Sequence, residues 1–180
     1  MPDFLTLPTL ASPKEIHVVV ETPRFARAKF KYEPDLGVFM LSRSLTLGLS
    51  YPFDWGFVPS TVASDGDPID ALILHDLATS PGMVLKCRPI GILDVAQTEH
   101  RKTIRNDRLM VVPSDSATYG GALDLGDLPQ SMRHQAEEFF LAAVTGTAKR
   151  LKFLGWRGPR AAWAAIKRTQ RAFAGAQTRA

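Results

Sequence analysis

Three carboxylates fall within six residues at Asp65-Gly66-Asp67-Pro68-Ile69-Asp70, and the apolar run Ala71-Leu72-Ile73-Leu74 follows at once. Carboxylates this close repel one another, and no Lys or Arg nearby in sequence offsets them. Hard divalent cations such as Mg²⁺ take oxygen ligands, and convergent carboxylates are their usual supply. Gly66 permits a turn and Pro68 stiffens it, so the three side chains can be held toward a common point. The plainer alternative is a solvated acidic turn, since Asp, Gly and Pro are ordinary turn residues. An EF-hand calcium loop fits poorly. It wants an acid or amide fifth and Gly sixth, where this chain has Ile69 and Asp70.

Upstream, Glu21, Lys29, Lys31 and Arg43 sit in or beside expected strands. Taken singly, each basic residue is an ordinary surface charge. Basic side chains aimed at the same cavity as a carboxylate-bound metal would suit a polyanionic phosphate substrate. Other phosphate and nucleophile chemistries lack their signatures. The chain has no Gly-x-x-x-x-Gly-Lys-Ser/Thr loop and no Gly-x-Ser-x-Gly elbow, and its four histidines lack zinc-site spacing.

The elements that must position these groups are mostly short strands. Ile16 to Glu21 is β-branched and bounded by Thr22-Pro23. Lys29 to Glu33 alternates charged and aromatic residues at period two, which predicts a half-buried strand. Pro34-Asp35-Leu36-Gly37 is a turn, and Val38 to Leu41 the returning strand. Further strands are expected at Phe57 to Pro59, Ala71 to Leu74, Met83 to Cys87, Ile90 to Val95 and Leu109 to Val112. In the last third, Asp127 is positioned to cap a helix running to about Val144, with Pro129 early in it. Gly155 to Pro159 breaks the chain before a second helix, Arg160 to about Ala174, with Trp163, Ile166 and Phe173 along one stripe. The expectation is an α+β chain dominated by β: a small closed OB-like barrel with C-terminal helices packed on it.

Composition bounds the rest. At 180 residues with 45% hydrophobic and 22% charged side chains, the chain can build a core. One domain over 1–180 is expected, with 1–12 as an N-terminal extension and 149–180 as a basic C-terminal segment. No apolar run approaches the ~20 residues of a membrane span. Met1 to Leu5 carries no basic region leading into an apolar stretch, so no secretory leader is expected. Cys87 stands alone, which points to a reduced, cytoplasmic setting. Residues 1–100 hold 8 Lys/Arg against 12 Asp/Glu, whereas the last 32 residues hold nine Lys/Arg and no acid. That tail reads as a solvated helix face, or as a surface for phosphate-rich partners.

Tyr51-Pro52-Phe53-Asp54-Trp55-Gly56-Phe57 followed by the acidic turn resembles the soluble family I inorganic pyrophosphatases. Pro81-Gly82, Lys86 to Gly91, Leu109 to Pro113 and Phe139-Phe140 extend the resemblance from about Pro13 to the C-terminal helix. It implies a five-stranded OB-like barrel, several Mg²⁺ ions with Mn²⁺ as a substitute, and hydrolysis of pyrophosphate or a related phosphoanhydride. On matching positions, Asp65 and Asp70 would bind metal and Glu21 a further one, with Asp67 as general base on water. Lys31 and Arg43 would clamp phosphate oxygens, Tyr51 and Trp55 would line the site, and Arg108 would keep the charge of the family's lysine. A homo-oligomer is also implied.

Departures stand beside the match. Trp55 replaces a phosphate-contacting tyrosine. Gln97 and Asn106 fall where the family has two further metal-binding aspartates, and Ala143-Val144 where it has a phosphate-gripping tyrosine and lysine. Asp94 and Glu99 would substitute if the lengthened loop folds back, while Asp107 is one place off and on a strand faces the other way. Lys149, Arg150 and Lys152 could serve from another angle. Two other readings follow: a degenerate homologue that binds a phosphate compound or partner, or acts on another phosphoanhydride, and a nucleic-acid-binding barrel. The last is opposed by the net acidic barrel half.

Overall fold

A computed structural model describes residues 3–178 of the chain. Ten strands and two α-helices run in the order β1 (Leu10–Ser12), β2 (Glu15–Thr22), β3 (Ala28–Glu33), β4 (Val38–Ser44), β5 (Asp54–Phe57), β6 (Asp70–Ile73), β7 (Val84–Glu99), β8 (Lys102–Arg105), β9 (Arg108–Pro113), α1 (Gln130–Val144), β10 (Arg150–Arg157) and α2 (Pro159–Gln177). Strands β2, β5, β6, β9 and β7 pair in that order, and β7 pairs back with β2, so the five form a ring. The β6–β9 pairing is parallel and the other four are antiparallel. This is the expected OB-like barrel. No helix among the described residues is long and apolar enough to cross a membrane.

β7 makes the ring possible. Its 16 residues serve β2 near their start, β9 in the middle, and β10 and β8 toward the end. The sequence reading split this stretch at Arg88-Pro89. The structure instead keeps one strand and absorbs the imino acid in a register shift between Pro89 and Gly91. A bulge accommodates a residue that cannot donate to the ladder and bends the strand, as a small barrel requires. Gly91 is needed there, because a Cβ would run into the Leu125 side chain.

Alternation along β6 and β9 divides the packing. Ala71, Ile73, Leu109 and Val111 join a cluster completed by Ala162, Ala165 and Ile166 of α2. Leu72, Leu74, Met110 and Val112 join another, completed by Ala136, Phe139, Phe140 and Ala143 of α1. Strands buried on both faces read as continuous apolar runs, which is why Ala71 to Leu74 shows no polar alternation. The stripe of α2 centres on Ala162, Ala165, Ile166 and Thr169, with Trp163 and Phe173 half-buried beside it.

Several expectations are corrected. Arg150–Arg157 is a strand paired with Thr98 to Ile92 of β7, where the sequence reading expected a break from Gly155. Gly155 adopts φ +124 at a register shift, so the glycine bends β10 instead of ending it. Asp127 does not cap α1. Its carboxylate accepts the Leu123 and Asp124 N–H groups at 2.8 and 3.0 Å, closing a short 3₁₀ turn, and Pro129 precedes α1 without a side-chain cap. The strand expected at Phe57 to Pro59 lies earlier, at Asp54–Phe57. β1 and β8 were not expected at all. Both are short, three and four residues, and each is held by a neighbouring strand's ladder more than by its own pattern.

Candidate active site

The acidic turn is pinned at both ends. The Thr61 hydroxyl donates to the Val58 carbonyl at 2.6 Å and accepts the Ile69 N–H at 3.1 Å. Within it, the Ala63 N–H donates to the Asp67 carbonyl at 2.7 Å, and Gly66 takes φ +90, which a side chain would resist. Asp70 then opens β6, so its carboxylate is fixed by the barrel ladder while Asp65 and Asp67 stand on the exposed turn.

β2 supplies the buried Glu21, whose carboxylate accepts the Tyr32 N–H at 2.9 Å. That bond ties the β3–β4 hairpin to the barrel and brings Lys29, Lys31 and Glu33 to one side. Glu21, Lys29, Lys31, Glu33, Asp67 and Asp70 line a cavity of about 300 Å³. The Lys31 Nζ lies 2.9 and 3.1 Å from the two Asp67 carboxylate oxygens. Asp65 accepts the Asp67 N–H at 3.2 Å and faces an adjoining cleft with Gln97 and Glu99.

Burial sets the electrostatics. It raises the Glu21 and Asp65 carboxyls above their ordinary range and lifts Asp70 to about 7, with Lys29 and Arg108 opposing and Glu21 and Asp65 reinforcing that last shift. Desolvation and mutual repulsion raise these carboxyls, and Lys29, Lys31 and Arg108 only partly offset that. The donors are all oxygen, so the set fits a hard divalent ion. Among the described residues no three of these groups already converge as a closed ligand set, and Lys31 holds Asp67 instead.

A second, smaller cavity of about 60 Å³ lies beside the first. Arg43, Tyr51, Trp55 and Arg108 line it, α1 walls it with Phe139, Phe140, Ala143 and Val144, and Lys29 borders both cavities. Arg108 opens β9 directly opposite Asp70 in the parallel ladder and is buried. Its guanidinium lies 3.8 Å from the centroid of the Phe140 ring, and among the described residues its Nε and Nη1 find no hydrogen-bond partner. The buried Trp55 Nε1 also lacks one. Burial lowers Arg108 to about 10, which still leaves it charged at neutral pH. Three buried, unpaired donors on residues that line one cavity mark a place for an anion. Burial also pushes the Tyr51 hydroxyl up, keeping it a neutral donor.

Gln97 and Asn106, expected from the resemblance to stand in for two aspartates, behave differently from the three acids expected to replace those. Gln97 and Asn106 face each other, with Asn106 Nδ2 donating to Gln97 Oε1 at 3.2 Å, an uncharged pair. Asp94 is taken by Arg157 at 2.6 Å and Arg105 at 3.0 Å. Asp107 accepts the Val95 N–H at 3.0 Å and Arg105 at 2.8 Å, with Arg168 nearby at 3.7 Å. Of the three, Glu99 shares a cleft with Asp65, and Lys149 reaches it only at 3.9 Å. Sequence reasoning missed Glu33, which the period-two spacing from Lys29 and Lys31 would have put on the same face. It also missed the aromatic wall contributed by α1.

Two outcomes are expected of the cation-free protein. A carboxyl whose value is raised on folding stabilises the fold while protonated, and that contribution is lost as pH rises through the folded value. Urea unfolding in chelator should therefore show stability falling between about pH 4 and 7, from the ordinary to the folded value of Asp70. An Asp70→Asn protein should show a shallower fall, and equal slopes would contradict the burial argument. Arg108→Met replaces an unpaired buried charge with an apolar chain of similar length. It should leave the ligand-free melting temperature unchanged or higher while weakening phosphate binding by calorimetry, whereas a clear drop in stability would mean Arg108 is structurally paired.

The comparisons agree with this geometry. The family model described as inorganic pyrophosphatase matches residues 18–174. The inorganic pyrophosphatase of Aquifex pyrophilus is 35% identical over 159 residues, covering 87% of this chain and 88% of that protein. That of Thermus thermophilus is 34% identical over 154 residues, covering 84% and 86%. The crystal structure of the Thermus thermophilus protein superposes with a TM-score of 0.86 at 31% identity, over 96% of this chain and 99% of that one. The Helicobacter pylori structure gives 0.84 at 27% identity, over 93% and 98%. With a match across nearly all of the ring, the acidic turn and both helices, the chain belongs to the inorganic pyrophosphatase family.

Proposed function

We propose that the chain hydrolyses inorganic pyrophosphate to two phosphates with Mg²⁺, for which Mn²⁺ substitutes. The observation that carries this reading is the adjacency of two cavities of opposite character: an acidic one around Asp67 and Asp70, and a cationic one around Arg108. A bridging phosphoanhydride needs both at once, a cation-binding side where water attacks and a donor-rich side for the departing phosphate.

Asp65, Asp70 and Glu21 would hold the cations. Bound Mg²⁺ supplies Lewis acidity toward water and charge neutralisation at phosphoryl oxygens. Asp67 accepts the proton of the attacking water, for which its exposed place on the turn gives it access. Lys31 and Arg43 hold phosphoryl oxygens, and Arg108 offsets charge on the leaving phosphate from its aromatic seat. Tyr51 and Trp55 close the small cavity, and Trp55 offers its indole N–H. Positioning and electrostatics account for most of the rate. The buried, unpaired Cys87 needs no oxidising compartment, in keeping with work in the cytoplasm.

Purified protein with Mg²⁺ should release phosphate from pyrophosphate somewhere between pH 6 and 10, and none at any pH would refute the reading. Asp67→Asn should lower the rate by ~10²–10⁴, the usual contribution of a positioned base. A variant as active as the parent would remove Asp67 from that role. A homo-oligomer is proposed on the exposed Leu36, Met40 and Leu41 of the β3–β4 hairpin, which stand apart from the core. Light scattering should give a multiple of 19.8 kDa that falls in a Leu41→Glu protein, and a monomer mass for the parent would end that part of the proposal.

A further inference from the structure

The Lys31–Asp67 pair joins residues 36 apart in sequence and places a cation on the acidic turn. Lys31 contacts both Asp67 oxygens, yet the pair is exposed, with half of each side chain open to solvent. Its backbone is held from the other side, because the neighbouring Tyr32 N–H is bonded to Glu21. A side chain with four methylenes on a fixed backbone can reach the carboxylate or swing into the 300 Å³ cavity that it also lines.

We propose that Lys31 is the resident counter-cation of the acidic turn, displaced from Asp67 by an incoming divalent ion and thereby freed for the phosphoryl group. The inference rests on the pyrophosphatase reading for the phosphoryl part, but its first step concerns divalent-ion binding alone. A divalent ion on Asp65 and Asp70 would meet an ammonium seated on Asp67 of the same turn, and like charges that close repel. The exchange is cheap because the pair is exposed. Solvent and salt screen it, and water rehydrates the released ammonium. Lys31 therefore has two positions with two partners, and the divalent ion biases between them.

Lys29 supplies the control. It lines the same cavity with the same charge, but makes no hydrogen bond or ion pair with Asp67 among the described residues. If Lys31 acts only through long-range repulsion, removing either lysine should strengthen divalent-ion binding equally. If its seat on Asp67 sets the competition, its removal should have the larger effect.

Mn²⁺ binding to the chelator-stripped full chain, without phosphate or pyrophosphate, can be followed by electron paramagnetic resonance of the free ion. Lys31→Met should tighten Mn²⁺ by about two- to fivefold, the range for an exposed ion pair. Lys29→Met should tighten it less, and Lys31→Arg should restore parental affinity. The parental advantage of Lys31→Met should shrink at high salt, where the pair is already screened. Equal tightening by both methionine variants, or none for Lys31→Met, would overturn the inference while leaving hydrolysis by the parent intact. Absence of Mn²⁺ binding by a parent that also releases no phosphate would sink this inference and the pyrophosphatase reading together.

Discussion

The site depends on keeping opposite charges adjacent without letting them neutralise each other. Asp70 and Arg108 face each other across the parallel β6–β9 ladder, the arrangement that ordinarily produces an ion pair. No ion pair between them is present among the described residues. Arg108 lies instead against Phe140 at 3.8 Å and near Trp55 at 5.6 Å, with its edge donors open. The aromatic faces give the cation a partial partner that does not consume its hydrogen bonds. Asp70 is left under-neutralised, and burial then lifts its carboxyl. Each half of the pair is thus held in a state that favours binding something absent from the chain itself.

That arrangement requires a rigid frame, because both groups would relax toward each other if the backbone allowed it. β7 gives the frame by pairing with four strands at once, and α1 closes the aromatic side through Phe139 and Phe140. The opposite face is sealed by α2. A site of unpaired buried charges costs stability. The two apolar clusters on either face of β6 and β9 offset that cost, which is why those strands are apolar throughout apart from their first residues, Asp70 and Arg108.

Legibility in the sequence followed range. The acidic turn was readable because its three carboxylates, Gly66 and Pro68 are local, and the strands because β-branched runs repeat between turn residues. Strand β10 was misread because Gly155 signals a break when viewed locally, whereas the ladder to β7 turns it into a bend. The Asp127 cap was misplaced by two residues, since Pro129 holds the N-cap position of α1, for a similar reason. Its partners precede it, so it satisfies the 3₁₀ turn rather than α1. Contacts across long sequence separation, such as Lys31 with Asp67 or Arg108 with Phe140, had no sequence pattern to announce them.

The same long-range contacts divide the acids beside the acidic turn. Asp94 and Asp107 supply negative charge near Gln97 and Asn106, but Arg105 binds both closely, Arg157 adds to Asp94 and Arg168 to Asp107. A carboxylate accepting several guanidinium hydrogen bonds is a poor ligand for a metal, since the ion would have to displace charge-assisted bonds of about 1.5–3 kcal/mol each. Gln97 and Asn106 meanwhile satisfy each other as neutral amides. The flank of the acidic turn is therefore electrically quiet, and the negative potential concentrates on Glu21, Asp65, Asp67 and Asp70. Glu99 is the acid left loosely held on that flank, facing Asp65 across the cleft. The chain has kept the charges that face the two cavities and tied the others into the scaffold.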